Sequence, residues 1–73
     1  MATQIVMDHN GDSRYHFDVK DPKALMDAEN RFKELTGSGF TAATRNEAGQ
    51  PIVTRRFDPA AEETLFFPRL VGG

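Results

Sequence analysis

Apolar and polar positions change period several times along the chain, and each change marks an element. Thr3-Gln4-Ile5-Val6-Met7-Asp8 is a short β-favouring run, followed by His9-Asn10-Gly11-Asp12. In that tetrapeptide Asn-Gly supplies the positive φ values of a tight hairpin turn. Tyr15, Phe17 and Val19 then alternate with Arg14, His16, Asp18 and Lys20. A period of two is that of a strand with one buried face, so the first two elements are expected to form a hairpin.

The period then lengthens. Leu25, Ala28, Phe32 and Leu35 recur at helical spacing and form one apolar stripe, with Asp27 and Arg31, and Glu29 and Lys33, set as i,i+4 ion pairs on the outer side. Asp21-Pro22 offers a side-chain acceptor at the N-cap and a pre-set φ at the first helical position, and Gly37 offers a left-handed residue to end the helix. The spacing predicts one amphipathic helix of about four turns.

Beyond Gly37-Ser38-Gly39, Phe40 to Arg45 and Ile52 to Phe57 read as two strands flanking the loop Asn46 to Pro51. Asp58-Pro59 repeats the cap-plus-proline pattern, so one helical turn is expected over Ala60 to Glu63. Thr64 to Phe67 is the last strand, and Pro68, with no N–H to donate, limits pairing there or marks an edge. The order is β-β-α-β-β-β. A helix with one apolar stripe must cover one face of a sheet, which predicts a two-layer α+β domain. If the final strand lies beside and parallel to the first, the domain is a β-grasp.

Composition narrows the function. Seventy-three residues are read as one domain near the lower size at which a core suffices without staples, with residues 69–73 as a flexible tail. Cysteine is absent, which removes disulfides, a thiolate nucleophile and thiolate metal ligation. No apolar run reaches the roughly 20 residues of a membrane span, and no basic region with an apolar core opens the chain, so the cytoplasm is the expected compartment. The net charge of -2 argues against a nucleic-acid binder, which would carry a basic face and a high pI.

Few residues carry candidate chemistry. His9 and His16 are the only imidazoles and lack the local ligand pairs of a zinc site, so no metal is expected. Glu62 and Glu63 are adjacent and diverge in either a strand or a helix, which unsuits them as an acid/base pair. With no nucleophile, base or phosphate loop, the chain reads as a non-enzyme needing no cofactor of its own. Arg45, Arg55 and Arg56 fall on the second hairpin, either as solubilising edge charges or as a docking patch for an acidic partner. In the last strand Phe66 points away from Leu65 and Phe67, so it lies under a second layer or stands exposed. Exposed, it would join Pro68, Arg69, Leu70 and Val71 in a contact patch.

The chain closes on Gly72-Gly73, a pair without Cβ atoms that can thread a narrow channel. Phe66-Phe67-Pro68-Arg69-Leu70-Val71-Gly72-Gly73 resembles the C-terminal signature of the β-grasp sulfur carriers, above all the small subunit of molybdopterin synthase, which commonly ends Phe-Phe-Pro-Pro-Val-(small residue)-Gly-Gly. It is similar, more loosely, to the thiamine sulfur carrier and to ubiquitin. Phe67 and Pro68 match the strand end, Leu70 and Val71 the apolar approach, Gly72 and Gly73 the reactive end, and Glu63 the acid before the strand. Arg69 stands where that family has a second proline, the first strand is less apolar, and the family's Asp-Gly before the last strand is missing.

The resemblance implies that a separate activating enzyme adenylates the Gly73 carboxylate, and that all catalytic groups belong to that partner. The activated end would then pass to sulfide, to an acceptor protein or to a cofactor-synthesis subunit. The competing expectation is a non-enzymatic protein-interaction module in which the sheet or the arginine-bearing hairpin docks a partner and Gly-Gly is incidental.

Overall fold

The computed structural model describes residues 1–68. In chain order the elements are β1 (Ala2–Asp8), β2 (Gly11–Phe17), α1 (Pro22–Gly37), β3 (Phe40–Arg45), β4 (Pro51–Thr54) and β5 (Glu63–Pro68). The five strands form one sheet in the order β2-β1-β5-β3-β4, and α1 packs across one face of it, making an α+β fold. β5 is the central strand. It runs parallel to β1, pairing Ile5 with Leu65, and antiparallel to β3, pairing Ala43 with Leu65. Both edges of β5 are thus paired, and within its apolar run Leu65 and Phe67 face opposite to Phe66.

The two hairpins differ at their turns. Strand pairing of β1 with β2 closes over His9-Asn10, with Asp8 Oδ1 accepting from the Asn10 N–H at 2.8 Å. Only Gly11 takes a positive φ, at 117°, so glycine alone supplies the conformation expected of both Asn10 and Gly11. β2 stops at Phe17, and a turn in which the Asp21 N–H bonds the Asp18 carbonyl takes Val19 out of the alternation and exposes it. At the second hairpin Asn46 accepts from the Gly49 N–H through its carbonyl and from the Gln50 N–H through Oδ1. β4 is shorter than its alternation predicts because Thr54 folds the chain back: its hydroxyl donates to the Arg56 carbonyl and accepts from the Arg56 N–H.

The helix begins as its sequence predicts and ends differently. Asp21 Oδ1 accepts from the N–H groups of Lys23 and Ala24, and Pro22 occupies the first turn. Gly37 remains helical, Ser38 caps by donating to Glu34, and the positive φ falls on Gly39, at 99°. On the outer side Arg31 does not pair with Asp27. It donates to Gln4 Oε1 at 2.8 Å and lies over the Tyr15 ring at 4.1 Å.

The core sits between α1 and the sheet. Val6, Ala42 and Phe66 meet Phe32, and Ala2 and Phe17 meet Ala28. Phe57 lies just past β4, outside any strand, and joins the two halves: its ring centroid is 6.0 Å from that of Phe32 and 6.4 Å from that of Phe17. Such tilted and edge-on aromatic pairs add to simple burial. The helical turn expected at Ala60–Glu63 is a tight turn instead, in which Asp58 Oδ1 accepts from the Ala60 N–H and the Asp58 carbonyl from the Ala61 N–H. With that turn completed early, Glu63 already belongs to β5.

Candidate functional site

The site proposed from sequence lies at the end of β5. Pro68 pairs with Phe40, the first residue of β3, and is exposed. Arg69, Leu70, Val71, Gly72 and Gly73, with the tail predicted there, lie outside the described residues. What can be built is the platform from which that segment continues: the end of β5, the start of β3, the C-terminal end of α1 and the bend after β4.

Phe66 does not belong to an exposed patch. It is 0% exposed, its ring edge-on to Phe32 with centroids 5.6 Å apart, and the second of the two placements open to it from sequence is thereby corrected. Alternation turns Leu65 and Phe67 to the face opposite the helix, where both are half-buried. The contact candidate in this strand is therefore Phe67 rather than Phe66.

On that open face the strand registers set Ile5, Leu65, Ala43 and Val53 in one row running across four strands. Ile5 and Ala43 are buried within it, whereas Val53, on the edge strand, is 63% exposed. Met7 and Phe67 occupy the next row. The result is an apolar stripe across a sheet face that no second layer of the described residues covers. Such a stripe is the usual composition of a protein-contact surface.

The arginines separate into two groups. Arg45 pairs with Pro51 at one end of β3, while Arg55 follows Thr54, which pairs with Ala42. At about 3.3 Å per residue these positions are roughly 10 Å apart along the strand. Arg45 Nε donates to Glu63 Oε1 at 3.1 Å and its Nη1 to the Gly49 carbonyl at 3.0 Å, which neutralises it and ties β3 to β5. Arg45 is thus an ion-paired, half-exposed cation that the structure sets apart from Arg55 and Arg56, with which the sequence grouped it. Arg55 and Arg56 stand at the opposite end, the end at which β5 finishes.

Sequence reasoning missed Lys33. It projects from the last turns of α1 into the same cavity as Arg55 and Arg56. Nothing local signals this, because the residues that meet it are more than twenty positions away.

The remaining candidates stay apart. His16 Nδ1 lies 2.9 Å from Thr3 Oγ1 on the sheet, and His9 sits in the first turn. Among the described residues no group of three or more His, Cys, Asp or Glu is arranged to hold a metal, and no helix is long and apolar enough to cross a membrane. A surface cavity of about 860 Å³ is lined by Arg45, Glu47, Asp58, Glu62 and Glu63. It gathers carboxylates around an already paired arginine, with Thr44 and Asn46 beside them. No protein-family model, curated protein or solved structure matches this chain.

Proposed function

We propose that the chain is a β-grasp carrier of the ubiquitin-like and sulfur-carrier kind, whose Gly73 carboxylate is activated by a separate adenylating enzyme. One observation carries the reading: β5 is central, parallel to β1, and finishes at Pro68 immediately before Arg69-Leu70-Val71-Gly72-Gly73. The strand order supports the β-grasp assignment. It also puts the anchor of the terminal segment in the best-buttressed strand of the sheet, so that pulling on the segment loads paired backbone on both sides.

A carboxylate is a poor acyl donor because its oxygen is a poor leaving group. In the proposed step a Gly73 carboxylate oxygen attacks the α-phosphorus of ATP, the bond to the bridging β-phosphate oxygen breaks, and pyrophosphate leaves. Sulfide, a cysteine thiolate or a lysine amine then attacks the carbonyl carbon and AMP departs. The first acceptor gives a thiocarboxylate for a cofactor-synthesis subunit, the last an isopeptide on an acceptor protein. Phosphate contacts and general bases belong to the activating enzyme, and this chain supplies the acyl group and a docking face. That face is the stripe of Ile5, Leu65, Phe67 and Val53, with the exposed Pro68 at the end of β5.

Intact-mass analysis of the chain recovered from its own cells tests the reading. The expected product has sulfur in place of one terminal oxygen, or carries a conjugated protein. Deleting Gly73 is expected to abolish that product and leave the amide spectrum of residues 1–68 unchanged. A mass that stays unmodified in the presence of the activating machinery overturns the proposal.

The exposed Val53, on a sheet face that no second layer of the described residues covers, favours a second reading, a non-enzymatic interaction module. Removing Gly72 and Gly73 separates the two. Partner affinity is unchanged for the module, whereas the carrier loses its activation altogether.

A further inference from the structure

Lys33, Arg55 and Arg56 converge on one cavity of about 360 Å³ beside the C-terminal half of α1, walled by Phe32, Phe57 and Thr36. A neighbouring cavity of about 420 Å³ shares Thr36 and Arg55 with it, so the two form a continuous groove along the junction of helix and sheet. One carboxylate, Glu29, also lines the first cavity. Among the described residues the only ion pair is that of Arg45 with Glu63, which leaves all three groove cations without a carboxylate partner there. In a chain of net charge -2 this is a local excess of positive charge rather than part of a general basic surface.

The groove is held in shape before anything binds. Thr54 closes the bend over Arg55 and Arg56 with two hydrogen bonds, of 2.9 Å to the Arg56 carbonyl and 3.4 Å from its N–H. One residue on, Phe57 is clamped between Phe17 and Phe32. The backbone carrying both guanidinium groups is therefore fixed at either end, which lowers the entropy lost when they take a ligand.

We propose that this groove docks an acidic segment of a protein partner, its carboxylates taken by Arg55, Arg56 and Lys33 and an apolar side chain laid against Phe57. Guanidinium forks match carboxylates bidentately. Inorganic phosphate suits the place less well, because the walls of Phe32 and Phe57 offer it nothing, whereas a peptide can lay an apolar side chain against them. The cavity that holds the three cations lies beside the helix and shares no residue with the apolar stripe, which the groove meets only at Val53 in its neighbouring cavity, and the site makes no use of Gly72 or Gly73.

Titration of the isotope-labelled full chain with a short blocked peptide alternating Glu and Leu tests this by amide chemical shifts. Saturable shifts at Lys33, Thr36, Arg55, Arg56 and Phe57, weakened by salt, are expected. Arg55→Glu with Arg56→Glu is expected to lower the affinity by about tenfold or more. Arg45→Glu is expected to leave it unchanged. If the double reversal disturbs folding, Arg55→Gln with Arg56→Gln keeps the test intact. Equal binding of the Gln/Leu peptide, shifts centred on Ile5 and Leu65, or tighter saturation of the groove by tripolyphosphate overturns the proposal. A chain lacking Gly72 and Gly73 is expected to bind the peptide equally, so failure here is distinguishable from failure of the carrier reading.

Discussion

Arg31 donates from Nη1 to Gln4 Oε1 across 2.8 Å, joining the middle of the helix to the first strand of the sheet. Gln4 is fully buried and uses its other end to donate to the Ala28 carbonyl at 2.9 Å. One amide thereby holds two consecutive turns of α1 at a fixed height over β1. A buried amide of this kind is tolerated only because both ends are partnered.

Gln4→Leu keeps the volume and removes both bonds, leaving a half-buried guanidinium without its acceptor. The expected loss is about 1–3 kcal/mol in urea denaturation. Arg31→Met is expected to cost less, and the double variant less than the sum of the two, because each change removes the same bond. Additive losses would show that the two side chains are uncoupled.

Phe66 and Phe67 are neighbours in sequence with unequal structural weight. Phe66→Ala opens a cavity beside Phe32 at the centre of the core and is expected to cost about 3–5 kcal/mol. That is a large share of the roughly 5–15 kcal/mol that stabilises a typical domain. Phe67→Ala, on the open face, is expected to cost distinctly less. Thermal melts by circular dichroism rank the two, and the reverse ranking would contradict the burial pattern.

Two glycines two positions apart are expected to respond with opposite signs. Gly37 is helical, with open space where a Cβ would stand, so Gly37→Ala is expected to stabilise by about 0.5–1 kcal/mol. Gly39 also has open space but a φ of 99°, so Gly39→Ala is expected to destabilise by at least about 1 kcal/mol. Denaturant midpoints measure both.

The ion pair of Arg45 with Glu63 is expected to contribute little. Its side chains are 49% and 38% exposed, where solvent screens the attraction. Glu63→Gln is expected to cost under about 1 kcal/mol and to cost less still in high salt. A larger, salt-independent loss would assign the pair a packing role.

What was legible in the sequence was local. Asp21-Pro22 and the stripe of Ala28 and Phe32 marked the helix, because cap chemistry and 3.6-residue spacing act within a few turns. One error came where a distant partner overrode a near one, as Arg31 passed over Asp27 for Gln4 and Tyr15. Another came from a local turn, in which Thr54 bonds Arg56 and ends β4 while the alternation still points onward. The facing of Phe66 was undecidable locally, since alternation gives two faces but not which one the helix covers. The groove shared by Lys33, Arg55 and Arg56 was invisible for the same reason, having no counterpart in spacing along the chain.

The central position of β5 has a consequence for synthesis. The β1–β2 and β3–β4 hairpins have no edge in common, and Glu63–Pro68 is the strand that bridges them. During translation the sheet therefore cannot close until those residues clear the ribosomal exit, and any product interrupted earlier is left as two unjoined ribbons with exposed edges for proteases to find.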